Sequence, residues 1–287
     1  MPRIELPGSL VDVDWLHRHL QQDDLVVFDA SWHMPASGRD GEREWAEQHI
    51  PGTRFFDFDR KISRPNSDLP HMMPGQDLFT REVQLLGLNQ DSVVVIYDSL
   101  GMFSGPRVWW MLRAMGHSHC ALLDGGMPAW QQAGYALENQ QQAAETSPGN
   151  FVANPDLQSF VGADTVLAAL GDPINCVLDA RSSARFHGKE EEPRAGLRKG
   201  HMPGARNLPF PSLFDEGLLK SSAELKQIFS DLVADSEQII CSCGSGITAC
   251  VIAFAAHRAG YENLAVYDGS WCEWGQPGEL PVIGYED

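Results

Sequence analysis

Positive charge is what this chain has least of. Its 287 residues hold 21 Lys and Arg against 39 Asp and Glu, a formal net charge of −18. That balance repels phosphate backbones and anionic membrane surfaces, and it argues against nucleic acid or membrane as a partner. An anionic small substrate then needs a locally basic pocket. Long apolar runs are missing too. None approaches the roughly 18 residues of a membrane span. Met1-Pro2-Arg3-Ile4-Glu5 opens no apolar core of signal-peptide length, so the expected location is the cytoplasm. Cysteine is sparse: Cys120, Cys176, Cys241, Cys243, Cys250 and Cys272 form no regular framework, as expected of free thiols in a reducing compartment. Cys241-Ser242-Cys243 leaves one residue between the sulfurs, not the two of a redox or zinc pair, and Cys241 is expected to pack. What is present is a soluble globular composition, 43% hydrophobic and 21% charged, at a length that suits two domains.

The sequence contains itself twice. Val26-Val27-Phe28-Asp29-Ala30 is echoed by Cys176-Val177-Leu178-Asp179-Ala180, and His49-Ile50-Pro51-Gly52 by His201-Met202-Pro203-Gly204. The apolar run Val93–Ile96, ending in Tyr97-Asp98, matches Gln238–Cys241, ending in Ser242-Cys243. Asp124-Gly125-Gly126 and Asp268-Gly269-Ser270 follow, each with a tryptophan after it, Trp130 or Trp271. Continuous apolar runs are the mark of strands buried on both faces, as in parallel sheets. Between them lie helix signals. Ser221-Ser222-Ala223-Glu224 has capping-box spacing, and Gly105 to Met115 reads as a helix with Pro106 in its first turn. The fold class is therefore α/β: two tandem domains, each a mostly parallel sheet flanked by helices. The expected boundaries are 1–138 and 156–287, with the polar, turn-rich stretch 139–155 as linker.

One loop carries the chemistry. The strand Ile239–Ser242 delivers Cys243 to Gly244-Ser245-Gly246-Ile247-Thr248, and a small-residue helix from Ala249 to Ala259 follows. Loop N–H groups and the positive end of a helix favour a thiolate, the nucleophilic form of cysteine. The first copy has Asp98 in place of Cys243, so it lacks the nucleophile and is expected to be non-catalytic.

These features resemble the two-domain rhodanese-like sulfurtransferases, from about Leu10 to Pro281, and within that family its 3-mercaptopyruvate branch. The branch is told by the loop: thiosulfate-using members carry basic residues directly after the cysteine, whereas no Lys or Arg lies between Cys243 and Ala249 here. Ile247 stands where the family usually has valine. The resemblance implies an enzyme that moves sulfur from 3-mercaptopyruvate through a Cys243 persulfide to a thiophile, releasing pyruvate. The acceptor would be cyanide, a small thiol or thioredoxin. No metal or organic cofactor is implied. It also implies a relay of Cys243, Ser245 and Asp59, with Arg185, Arg194, His71, Gly244, Gly246, Ile247 and Thr248 around the substrate. Guanidinium groups suit a carboxylate beside a ketone, because they bind flat oxygen acceptors with paired hydrogen bonds. Lys189-Glu190-Glu191-Glu192, between the two arginines, reads as surface. Trp271 and Trp274 are read as closing a core.

The nearest alternative is a thiosulfate:cyanide sulfurtransferase, disfavoured by the uncharged loop. A phosphatase needs an arginine six residues after its cysteine, where this chain has Ala249. A non-catalytic sulfide-sensing or binding module is the remaining alternative, and the intact cysteine loop argues against it.

Overall fold

Two five-stranded parallel sheets organise the chain in a computed structural model that describes residues 4–141, 146–234 and 236–284. The first unit runs β1 (Leu10–Val11), α1 (Val13–His19), β2 (Leu25–Asp29), α2 (Gly41–Glu47), β3 (Arg54–Phe55), α3 (Gln76–Leu85), β4 (Val93–Tyr97), α4 (Gly105–Ala114), β5 (Cys120–Leu123) and α5 (Gly126–Gln132). Its strand order is β1-β5-β4-β2-β3. The second unit runs β6 (Phe160–Val161), α6 (Ala163–Leu170), β7 (Asn175–Asp179), α7 (Ser183–Phe186), β8 (Arg206–Asn207), the antiparallel pair β9 (Phe214–Asp215) and β10 (Leu218–Leu219), α8 (Ser222–Val233), β11 (Gln238–Ser242), α9 (Thr248–Arg258), β12 (Leu264–Tyr267) and α10 (Ser270–Trp274). Its sheet order, β6-β12-β11-β7-β8, repeats the first.

The apolar runs become the central strands. Every residue of β4 is buried, and Val93 to Tyr97 pair in register with Leu25 to Asp29. Gln238 to Ser242 pair likewise with Asn175 to Asp179. A parallel sheet brings all its strand carboxyl ends to one edge, where ligands of α/β folds bind. Asp98 and Cys243 follow the last residues of these central strands, so each copy delivers one residue to that edge. The capping box at Ser221 and Glu224 starts α8, and Pro106 lies in the first turn of α4. The helix expected from Ala249 begins one residue earlier, at Thr248. Trp130 anchors the first core; Trp271 and Trp274, both fully buried, anchor the second.

Compact units part from the expected boundaries in two places. Residues 66–72 group with the second unit, although they precede α3 of the first. The expected linker does not hang free where it is described. Gly149 and Phe151 amides donate to Gln84 and Leu88 carbonyls, and those of Asn154 and Asp156 to Met115 and Ala114. Phe151 is fully buried, so residues 149–156 are stitched along α3 and α4 of the first unit. Residues 142–145 of that stretch, Gln142 among them, lie outside the described residues.

The end of β2 carries a pH-sensitive carboxylate. Burial pushes the Asp29 carboxyl from an ordinary 3.8 up to about 6, against hydrogen bonds from Ser31 and Tyr97, with the charge of Asp98 adding to the rise. A carboxyl raised by folding gives stability that is whole below the unfolded pKa and is lost as pH climbs through the folded one. Asp29→Asn has no such titration. Its stability relative to the parent is expected to improve by about 2 kcal/mol between roughly pH 4.5 and roughly pH 7.5. Denaturant melts at the two pH values check this, and a pH-independent difference would remove Asp29 as the source.

Candidate active site

Cys243 leaves β11 into a loop held from both sides. Its amide donates to Ser270 Oγ at 3.1 Å, and its carbonyl accepts the Trp271 amide at 3.0 Å. The next carbonyl, of Gly244, accepts the Cys272 amide at 2.8 Å. Gly246 takes φ +77°, a left-handed turn that glycine adopts at no steric cost, and α9 starts two residues on. The first amides of a helix have no acceptor inside it, so α9 presents donors and a positive helix end to the loop. Cys243 is 2% exposed and Ser245 is buried beside it in sequence.

Ser270 was not legible as a functional residue. It adopts φ +48°, which costs a residue with a Cβ roughly 1–2 kcal/mol. The counterpart in the first copy is Gly126 at φ +52°, preceding Met127, whose amide donates to Asp98 O just as Trp271 donates to Cys243 O. The second copy therefore holds a side chain in a strained conformation at the point where the first uses glycine. The hydroxyl donates to Tyr267 O at 2.8 Å while accepting the Cys243 amide. Strain kept beside a reactive residue is a mark of positioning.

The first copy's loop is already filled by a side chain. Asp98 Oδ2 accepts the amides of Phe103, Ser104 and Gly105 at 2.8, 3.0 and 2.8 Å, and Oδ1 that of Leu100 at 2.9 Å. These donors lie two, five, six and seven residues past Asp98. The loop after Cys243 is shorter: α9 starts five residues past Cys243, where α4 starts seven past Asp98.

An arginine sits over the cysteine loop. A Cβ on Gly244 would lie 3.2 Å from Arg185 Nη2, so the absence of a side chain there leaves room for the guanidinium. Arg185 stands at the end of α7, a single turn capped by Ser182. Its Nε and Nη2 donate to Glu192 Oε2 at 3.2 and 2.5 Å. The other oxygen of Glu192 takes Arg181 Nη1 at 2.8 Å. Arg181 is fully buried, bonded to Asp179 and Gly200 O, and lies 4.0 Å over the Trp271 ring. Glu192, at 8% exposure, is thus no surface residue. The expectation fails because two cations brought by the fold offset its desolvation. Arg194 is half-buried, and its charge reaches the Cys272 thiol.

The remaining expected residues divide between the units. His71 lies within residues 66–72 and so shares the compact unit of Cys243; it is buried, at φ +60°. Asp59 belongs to the first unit, half-buried on a turn that Asp57 organises by accepting the amides of Asp59 and Arg60. Asp57, easily confused with Asp59 in the sequence, also binds Arg60 Nε at 3.1 Å. Among the described residues no cluster of His, Cys, Asp or Glu is arranged to hold a metal ion, and no helix is long and apolar enough to cross a membrane.

The Rhodanese-like domain profile matches residues 12–133 and again 162–277. The chain belongs to the rhodanese-like family. Relatives cover almost all of this rhodanese-like chain. The 3-mercaptopyruvate sulfurtransferase of Escherichia coli (strain K12) is 40% identical over 95% of this chain and 96% of its own. That of Homo sapiens is 39% identical over 94% and 93%. The crystal structure of SseA from Escherichia coli aligns with a TM-score of 0.82 at 37% identity, covering 92% of this chain and 99% of that one. The duplicated sheet, with one cysteine-bearing loop and one loop filled by Asp98, is how this rhodanese-like chain is built.

Proposed function

We propose that this protein is a 3-mercaptopyruvate sulfurtransferase in which Cys243 carries the sulfur. The observation that carries the reading is Arg185 resting over side-chain-free Gly244, beside a cysteine at the mouth of α9. A substrate carboxylate bound by Arg185 and Arg194 would lie next to the nucleophile. The Cys243 thiolate attacks the substrate sulfur. The carbon–sulfur bond breaks with its electron pair, and pyruvate leaves as its enolate, which takes up a proton. The outer sulfur stays as Cys243–S–SH. Guanidinium groups hold the carboxylate and the developing enolate oxygen. The loop amides after Cys243 and the positive end of α9 would stabilise the sulfur anion. A thiophile, whether a small thiol, cyanide or thioredoxin, then removes the outer sulfur, giving double-displacement kinetics. Relatives bear both substrate names, the Arabidopsis thaliana protein at 40% identity being a "Thiosulfate/3-mercaptopyruvate sulfurtransferase 1, mitochondrial". Initial rates with each donor decide between them. kcat/KM for 3-mercaptopyruvate is expected to exceed that for thiosulfate by at least about tenfold, since no basic residue follows Cys243 to receive the dianion. The reverse order would return the thiosulfate reading.

A further inference from the structure

The site holds a second thiol that sulfur transfer as described does not use. Cys272 lies in α10, 4% exposed, with its amide bonded to Gly244 O, while the preceding amide is bonded to Cys243 O. The backbones of 243–244 and 271–272 therefore run in direct hydrogen-bonded contact, which places the two cysteines on adjoining stretches of chain. The surroundings of the Cys272 sulfur are those of the active site. Burial pushes its thiol up to about 11; Arg194 pulls it down, Cys243 and Glu192 push it up, and Arg185 pulls it down. Two other thiols lie nearby. Cys250 Sγ donates to Gly246 O at 3.2 Å, and Cys241 is fully buried, with burial and the neighbouring Cys250, Cys176 and Cys243 all pushing its thiol up.

We propose that Cys272 is a resolving thiol: when no external acceptor arrives, it attacks Cys243 Sγ of the persulfide, expels the outer sulfur as sulfide and closes a Cys243–Cys272 disulfide. The inference rests on the persulfide reading above. The step balances within the protein. Cys243–S–SH and Cys272–SH give Cys243–S–S–Cys272 and hydrogen sulfide. One sulfur–sulfur bond forms and one breaks, the departing hydrosulfide anion keeps the electron pair of the broken bond, and the Cys272 proton goes to it. The outer sulfur is reduced to the sulfide level while the Cys272 sulfur is oxidised from thiol to disulfide and Cys243 Sγ keeps its level, so no outside oxidant enters. A dithiol reductant reopens the disulfide.

Magnitudes set when the step matters. A thiol of pKa near 11 is ionised in about one molecule in ten thousand at neutral pH. Well-placed intramolecular partners reach effective concentrations of roughly 10⁵ M or more, which outweighs that fraction. A millimolar external thiol with a larger ionised fraction competes, so resolution by Cys272 governs the enzyme when acceptor is scarce.

The test loads the full-length chain with one equivalent of 3-mercaptopyruvate, without acceptor, and follows pyruvate, sulfide and non-reduced mass. The expected result is about one sulfide per pyruvate. The mass should lose two hydrogens rather than gain a sulfur, with the Cys243 and Cys272 peptides cross-linked until a dithiol is added. In Cys272→Ser the sulfide-to-pyruvate ratio is expected to fall at least about tenfold, with the added sulfur retained on Cys243. A second arm loads Cys243 with inorganic polysulfide. Cross-linking in that arm but no pyruvate in the first would overturn the substrate and leave the resolving thiol standing. An unchanged ratio in Cys272→Ser, or a Cys243 cross-link to Cys241 or Cys250, would overturn the proposal.

Discussion

Cys243→Ser is expected to leave a folded protein with no measurable sulfur transfer. The substitution keeps the size of a side chain that is 2% exposed, and the bonds from Ser270 Oγ and Trp271 N hold backbone atoms that serine also has. What disappears is the sulfur. A hydroxyl in the same cradle stays protonated at neutral pH, and oxygen cannot store sulfur as a persulfide does. Turnover with 3-mercaptopyruvate should fall to background, and mass spectrometry should find no added sulfur on the peptide spanning residue 243. Far-ultraviolet circular dichroism should match the parent. Activity near that of the parent would end the proposed mechanism, because none of the other buried cysteines stands at the mouth of the loop into α9.

Arg185→Ala should be the next most damaging change. The guanidinium lies over Gly244 with its side chain 22% exposed, close enough to the loop to meet a substrate held there. Losing one charged hydrogen bond to a carboxylate costs about 1.5–3 kcal/mol, roughly ten- to a hundredfold in kcat/KM. Glu192 keeps its bond to Arg181, so the buried carboxylate is not stranded and the fold persists. Lysine at position 185 should recover part of the loss, because it restores the charge without the paired geometry. An arginine on a solvated loop would change kcat/KM by no more than about 0.5 kcal/mol. A ratio that small, measured below saturation, would remove Arg185 from the substrate site.

The sequence disclosed what local pattern encodes. The runs at Val93 and Gln238 became the central strands, the Ser221 box became a helix start, and the order of matching motifs became two sheets of identical topology. Cys243 was legible because a strand, two glycines and a helix announce a cradle. Glu192 was hidden by its own neighbours, since Lys189-Glu190-Glu191 is polar; only Arg181 and Arg185, brought over it by the fold, compensate its burial. Ser270 was hidden for another reason. Its motif reads as a turn after β12, and neither its positive φ nor the amide it receives is written in side-chain type. Residues 66–72 carry no periodicity, so nothing local could assign them to the second unit.

Asp98 has a consequence for counting. A tethered carboxylate fills its own cradle at unit occupancy, and no solute at ordinary concentration displaces a ligand that cannot diffuse away. The duplicated loop is thereby closed to sulfur, sulfate and other oxyanions. The burst of pyruvate on first exposure to substrate is therefore expected to level off at one equivalent, so that its height counts the working enzyme directly.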